Sequence, residues 1–422
     1  MEPRTIRRVR RPLDATLRVP ASKSATHRAL VAAALADGKS EIQAPLDADD
    51  TRRTLEGLAA LGIRVETTAG AWIVHGSRLR PAGGGALSLG DSGTSMRFLV
   101  ALATLGRAPS TLDGSARLRE RPVHDLVQAL RSMGATVDAT GEHGGLPVRA
   151  GGAPPRGGAV RIRADRSSQF ASALLLIAPA LARGIELTLD PPAVSLPYVE
   201  LTLDVMAQFG VAVERRDELS FVVGPARYRA RDYRVEGDHS SASYFLAAAA
   251  IAGGRVRAAG IDPDSRQPDA RLGAVLAAAG CEVLRGPDWV EVRGGRALGA
   301  FDLDLGAAPD LVPTVAVLAL FAAGRSRLRN IGHLRVKESD RLETIAANLR
   351  RLGCEAQVVE DGLLIRAEPG RLHGALLVTA SDHRMAMAFA LAGLVIDGVA
   401  IDDPACVTKS NPDFWAQLET LG

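Results

Sequence analysis

Lys23, Ser24 and Arg28 stand together just where an alanine-rich helical pattern begins, two cations and a hydroxyl within the first turns. Arg384 follows Asp382 and His383 at a second such start, and Arg97 closes a third that opens on Asp91, Ser92, Gly93 and Thr94. Helix starts turn free N–H groups and a positive dipole end outward, so acidic side chains belong there. Cations at that position are costly unless an anion fills the site, which points to a phosphorylated or carboxylated ligand. No GxxxxGK[ST] precedes Lys23, so the cradle is not a nucleotide P-loop. The bland alternative for each group is a solvated basic cap.

Other segments add chemistry of the same kind. Gly93 before Thr94 allows close backbone approach to a ligand, although a simple turn and cap would use a glycine too. Ser167, Ser168 and Gln169 supply two hydroxyls and an amide at another start, where N-capping accounts for one serine but not for all three groups. Residues 335–341 pack Arg335, Lys337 and Arg341 with Glu338 and Asp340. Four-residue spacing is expected to put Lys337 and Arg341 on one helix face, with Glu338 beside them able to give or take a proton. A surface salt-bridge helix would show the same composition. Asp310 offers an isolated carboxylate at a fifth start, and Lys409 a further cation near the end.

The elements that must position these groups form a sixfold repeat. Each repeat reads as a first apolar helix, a strand, a second helix, a glycine and a hairpin. The closing glycines Gly62, Gly134, Gly210, Gly280, Gly353 and Gly422 are spaced 72, 76, 70, 73 and 69 apart. First helices are expected over 23–36, 94–105, 168–182, 240–252, 311–323 and 383–393, and amphipathic second helices over 49–61, 122–133, 198–209, 268–279, 338–352 and 412–421. Short β-branched runs such as 63–66 with 72–75 read as hairpins. Strands interleaved with helices give an α/β protein. At 422 residues the chain suits two domains of three repeats, with the break expected in 231–239.

Composition narrows the function further. Fifty-one basic residues are offset by 48 acidic ones, a net charge of only +3, which argues against a nucleic-acid coat. Four Tyr, nine Phe and three Trp, unclustered, do not make the stacking surface that RNA binding needs. Cys281, Cys354 and Cys406 are scattered without metal-ligand or disulfide spacing, so no metal, no cofactor and a reducing, cytoplasmic setting are expected. The longest apolar stretch, 171–182, is too short to span a bilayer, and the Arg-rich opening has no apolar run typical of a signal.

These segments resemble the 5-enolpyruvylshikimate-3-phosphate synthase family over nearly the whole length. The resemblance is carried by Ser22 to Ser24, Gly93 and Thr94, Glu120 to Pro122, Ser167 to Phe170, Ser243 to Ala250, Leu334 to Arg341, Asp382 to Met387, and Lys409. It implies a two-domain inside-out α/β barrel with three βαβαββ-type repeats per domain, residues 21–237 against 1–20 with 238–422, and an active site in the cleft. It further implies transfer of the carboxyvinyl group of phosphoenolpyruvate to the 5-hydroxyl of shikimate 3-phosphate. By similarity, Lys23, Ser24, Arg28, Ser167, Ser168, Gln169, Ser195, Tyr198, Asp310, His333 and Lys337 would hold shikimate 3-phosphate. Lys23, Gly93, Thr94, Arg121, Gln169, Arg341, Arg384 and Lys409 would hold phosphoenolpyruvate. Asp310 looks like the base and Glu338 the acid, with Lys23 assisting. Small-molecule substrates and a monomer are expected. Asp91, Ser92 and Phe98 stand where the family often has Asn, Ala and Pro, and His333 where some members have Asn. The related transferase acting on UDP-N-acetylglucosamine usually has Asn after the first lysine and a Cys before Arg-Pro; Ser24 and the cysteine-free 114–120 point away from it.

Overall fold

In a computed structural model, which describes residues 2–295 and 297–422, the chain divides into two compact units. One is continuous, Ala21–Val235; the other is split, Met1–Pro20 with Glu236–Gly422. The division follows hydrogen bonds. Val235 N still donates to Gln43 O in the continuous unit, whereas Asp238 N donates to Pro20 O in the split one.

Each repeat builds a small sheet around a parallel pair of strands. In five of the six an antiparallel hairpin completes the sheet, whereas the sixth takes Arg4–Thr5 as its third strand, antiparallel to Ala400–Ile401. In the continuous unit the parallel pairs are Asp232–Arg234 with Lys39–Gln43, Ala86–Ser88 with Ser110–Asp113, and Gly158–Arg163 with Ile185–Asp190. The split unit pairs Leu13–Arg18 with Gly254–Ala259, Asp302–Asp304 with Arg325–Arg329, and Leu376–Leu377 with Ala400–Ile401. In each unit the first sheet therefore borrows a strand from a remote stretch of chain: Asp232–Arg234 in one, Leu13–Arg18 in the other. The result is a mixed α/β protein whose described strands form separate small sheets, with no closed ring among them.

The first helices are interior. Lys23–Leu35, Gly93–Ala103 and Gln169–Ile177 pack on one another in the continuous unit, as do His239–Ala252, Val312–Leu318 and His383–Gly393 in the split one. Their alanine content allows close approach, so each core is built with few aromatic rings. None of the six carries an acidic residue in its first turn. Four of the six second helices do: Asp49 and Asp50 in Asp49–Ala60, Asp125 in His124–Ser132, Glu200 in Pro197–Gln208 and Glu343 in Arg341–Arg351. Five of the repeat glycines, Gly62, Gly134, Gly210, Gly280 and Gly353, take positive φ after the second helices, the backbone turn that glycine favours. Among the described residues no helix is long and apolar enough to cross a membrane.

Several element bounds depart from expectation. The helix expected over 168–182 gives way at Ala178 to a tighter turn, Ala178–Ala180, and that expected over 311–323 is shortened to Val312–Leu318. The helix expected from residue 338 begins only at Arg341, because Asp340 caps it by accepting from Glu343 N. Lys337 and Glu338 therefore precede the helix, and the shared-face relation of Lys337 to Arg341 does not hold.

Residues 2–20 belong to the split unit's core through buried Ile6, Leu13, Leu17 and Val19. Each large apolar side chain contributes about 1.5–3 kcal/mol, so their loss approaches the ~5–15 kcal/mol stability of a whole domain. Deleting residues 1–20 is expected to leave Glu236–Gly422 unfolded while Ala21–Val235 keeps its amide protection, as read by hydrogen exchange. Native-like protection of Gly254–Ala259 in the deletion would contradict this.

Candidate functional site

In the continuous unit the helix Lys23–Leu35 is capped by Ser22, whose side chain accepts from Ala25 N. Lys23 Nζ lies 3.0 Å from Asp50 Oδ2, a carboxylate that the sequence reading did not single out. Asp50 also ties two helix starts together, since its backbone oxygen accepts from Ser95 Oγ at 3.1 Å. Ser92 caps the helix Gly93–Ala103.

Arg28 is 1% exposed. Its guanidinium donates to Thr202 Oγ1 at 2.7 Å, Ser24 O at 2.9 Å, Tyr198 O at 3.0 Å and Ser172 Oγ at 3.3 Å. The rings of Phe98 and Tyr198 lie 5.4 and 6.0 Å from it. Every one of these partners is neutral. Burial pushes the Arg28 pKa down to about 10, with Tyr198 and Tyr233 opposing. A cation so enclosed gains from any anion brought within reach.

Gly93 serves as expected, by leaving room. A Cβ there would lie 2.5 Å from Arg121 Cζ, so the guanidinium rests directly on the helix start. Arg121 is 6% exposed and its Nη1 donates to Asp91 O at 3.4 Å. Gln169 is fixed at both ends of its amide: Nε2 donates to Thr94 Oγ1 at 2.9 Å, and Oε1 accepts from Arg97 Nη1 at 2.7 Å. Arg97 itself is held by Pro122 O. Ser167 Oγ accepts from Gln169 N, and Ser168 is buried beside it. Ser195 sits in left-handed backbone at φ 58°, and its buried hydroxyl has no hydrogen-bond partner among the described residues. Tyr198 follows one turn later, its N–H on Ser195 O.

The split unit gathers acids and cations into one cluster. Asp310, in the turn Pro309–Leu311, gives one oxygen to Arg341 Nη1 at 3.0 Å and the other to Arg384 Nη2 at 2.6 Å. Arg341 Nη2 also reaches Glu338 Oε2 at 2.9 Å, and its Nε meets Asp382 Oδ2 at 2.7 Å. Burial alone would favour loss of the Arg341 proton, but Asp382, Glu338 and Asp310 together hold its pKa above the ordinary arginine value. Asp382 caps the helix His383–Gly393, accepting from Arg384 N at 3.0 Å. Lys409 is buried at the end of the turn Pro404–Lys409, which packs on that same helix. Asp269 is a second buried carboxyl that spacing did not reveal. It accepts from Ser240, and burial raises its pKa, Asp310 adding to the rise.

His333 lies in the turn Gly332–Val336, 8% exposed, with Nε2 buried and without a hydrogen-bond partner among the described residues. Burial, reinforced by Lys337 and Arg341 against the opposing pull of Asp310, pushes its pKa down to about 3. It is therefore a neutral imidazole offering one ring nitrogen to a ligand.

Each unit thus brings its own expected residues together: Lys23, Ser24, Arg28, Ser195 and Tyr198 in one group, Gly93, Thr94, Arg121, Ser167, Ser168 and Gln169 in a neighbouring one, and Asp310, His333, Lys337, Glu338, Arg341, Arg384 and Lys409 in the split unit. Asp50, Ser172, Thr202 and Asp269 are the positioning partners that the sequence did not yield, whereas Arg97 was marked as the last member of a helix-start motif. Of those four only Asp50 carried a signal, as a first-turn acid.

With this geometry in view, the sequence pattern of the family described as EPSP synthase (3-phosphoshikimate 1-carboxyvinyltransferase) matches residues 8–418. The chain is 45% identical over 410 residues to a 3-phosphoshikimate 1-carboxyvinyltransferase of Methanoculleus marisnigri, covering 96% of each protein. It is 44% identical over 415 residues to that of Methanosphaerula palustris, covering 97% of each. A solved EPSP synthase from Acinetobacter baumannii superimposes with a TM-score of 0.83 at 27% identity, covering 100% of this chain and 98% of that one.

The unfolded chain protonates a histidine near pH 6.5, whereas folded His333 stays neutral down to about 3. Its contribution to stability is therefore complete above about pH 6.5 and is lost as pH falls toward 3, about 2 kcal/mol by pH 5. His333→Asn is expected to flatten the melting temperature between pH 7 and 5 relative to the parent chain. Parallel curves for the two proteins would count against a buried neutral imidazole.

Proposed function

The chain belongs to the EPSP synthase family, the 3-phosphoshikimate 1-carboxyvinyltransferases, and we propose how its two sets of charged groups divide that reaction. The enzyme transfers the enolpyruvyl group of phosphoenolpyruvate to the 5-hydroxyl of shikimate 3-phosphate and releases phosphate, on the shikimate route to chorismate and the aromatic amino acids. Addition comes first: a proton reaches the methylene carbon as the hydroxyl oxygen bonds to the central carbon. Elimination follows, with phosphate leaving and a proton returning from the methyl group. Both substrates are anions, which suits cations at helix starts that carry no first-turn acid.

Ser24, Arg28, Ser167, Ser168, Gln169, Ser195 and Tyr198 hold shikimate 3-phosphate, joined by His333 and Lys337. The acid-free burial of Arg28 and the orphaned hydroxyl of Ser195 support this reading. Lys23, Gly93, Thr94, Arg121, Gln169, Arg341, Arg384 and Lys409 hold phosphoenolpyruvate. Charge-assisted hydrogen bonds of about 1.5–3 kcal/mol each offset the desolvation of its phosphate and carboxylate. Asp310 takes the hydroxyl proton and Glu338 protonates the methylene, with Lys23 assisting. The observation that carries the assignment is the pair of carboxylates, Asp310 and Glu338, clamped on the single buried guanidinium of Arg341 at 3.0 and 2.9 Å. Two acids held on one rigid cation keep a fixed separation, which general acid–base work on neighbouring atoms requires.

Each unit reads as an inside-out α/β barrel of three βαβαββ repeats, a reading supported by the interior first helices and the separate small sheets. The reading also includes a cytoplasmic monomer, in keeping with three free cysteines.

Purified enzyme is expected to release inorganic phosphate only when phosphoenolpyruvate and shikimate 3-phosphate are both present. Release with UDP-N-acetylglucosamine in place of the latter would overturn the substrate assignment. Lys23→Ala and Glu338→Ala are each expected to lower kcat at least about a hundredfold with circular dichroism unchanged, since Arg341 keeps Asp310 and Asp382. Near-normal turnover in both would refute the roles. Gly93→Ala, by displacing the Arg121 guanidinium, is expected to raise KM for phosphoenolpyruvate roughly ten- to a hundredfold. KM for shikimate 3-phosphate should stay within about twofold, and steady-state kinetics on both substrates checks the split.

A further inference from the structure

The geometry points to Tyr244 as a positioning residue for phosphoenolpyruvate binding, acting through Arg384. This inference rests on the reading above that Arg384 holds phosphoenolpyruvate.

Tyr244 lies midway along the helix His239–Ala252 and is fully buried. Its ring meets Phe414 edge-on at 5.9 Å, which fixes the ring plane. Its hydroxyl oxygen accepts from Arg384 Nη1 at 3.2 Å while Arg384 Nη2 donates to Asp310 at 2.6 Å. The guanidinium is thus pinned at two corners by groups from two different elements, and its plane cannot turn about the side-chain axis.

The identity of the second partner matters more than its presence. Arg341 carries carboxylates on all three of its nitrogens, from Asp310, Glu338 and Asp382. Arg384 is held by Asp310, a carboxylate it shares with Arg341, and by a phenol. A phenol orients a guanidinium without cancelling its charge, whereas a carboxylate at position 244 would do both. Burial pushes the Tyr244 pKa to about 12, with the Arg384 charge opposing, so the phenol stays neutral across the working range. Arg384 is therefore aimed, with Tyr244 adding no negative charge to those of Asp310 and Asp269, which already act on it.

Tyr244→Phe removes one oxygen and keeps the ring against Phe414. It is expected to raise KM for phosphoenolpyruvate about tenfold, leaving KM for shikimate 3-phosphate within twofold and the melting temperature within a few degrees. Arg384→Gln and the double variant complete a cycle. If Tyr244 acts through Arg384, the double variant is no worse than Arg384→Gln alone. An unchanged phosphoenolpyruvate KM in Tyr244→Phe, with Arg384→Gln strongly impaired, overturns the positioning role and leaves the reading of Arg384 intact. Equal rises in both KM values, a large fall in melting temperature, or additive effects in the double variant assign Tyr244 to general packing and overturn it too. A normal phosphoenolpyruvate KM in Arg384→Gln shows instead that the underlying assignment is wrong, and this inference falls with it.

Discussion

A guanidinium taken out of water at the start of a helix is disfavoured twice, by lost hydration and by the aligned peptide dipoles, and the arrangement of this protein answers that penalty in two different ways. The split unit answers it with acids. Asp310 divides its oxygens between Arg341 and Arg384, while Asp382 caps one helix and binds the arginine that begins another. The continuous unit answers it at Arg28 with neutral oxygens and two aromatic faces. Arg341 and Arg384 are therefore held by internal countercharge, whereas Arg28 is held by neutral groups.

Everything around the clusters serves to hold these positions. Interior helices rich in alanine pack at close range, so the side chains at their starts are spaced by backbone geometry and not by flexible stems. Asp50 joins two of those starts through its carboxylate and its carbonyl, and Gln169 ties the third interior helix to one of them, both ends of its amide meeting Gly93–Ala103. Gly93 belongs to the same logic, its absent side chain being the space that Arg121 fills.

Much of this was legible in sequence, and the limits have a physical pattern. Glycines at regular intervals marked the ends of second helices because a left-handed turn selects glycine strongly whatever surrounds it. Lys23, Gly93 and Gln169 could be placed at helix starts because capping and apolar periodicity are local. Arg341 was misplaced within its element because the helix was started at Glu338, a good helix former, whereas Asp340 caps it two residues later. Ser172 and Thr202, which hold Arg28 from 144 and 174 residues away, and Tyr244, 140 residues from Arg384, left no local trace. Side chains that orient a functional group from a distant repeat look, in sequence, like any other buried serine, threonine or tyrosine.

The remote pairing of Leu13–Arg18 with Gly254–Ala259 bears on biosynthesis. On the ribosome the earlier strand emerges long before its partner exists, and at roughly 5–20 residues per second the wait is on the order of tens of seconds. During that interval Ala21–Val235 has all of its own strands and can collapse first, while an amphipathic strand preceding it stays unpaired. Nascent chains thus expose the apolar face of Leu13–Arg18 until Gly254–Ala259 has been made.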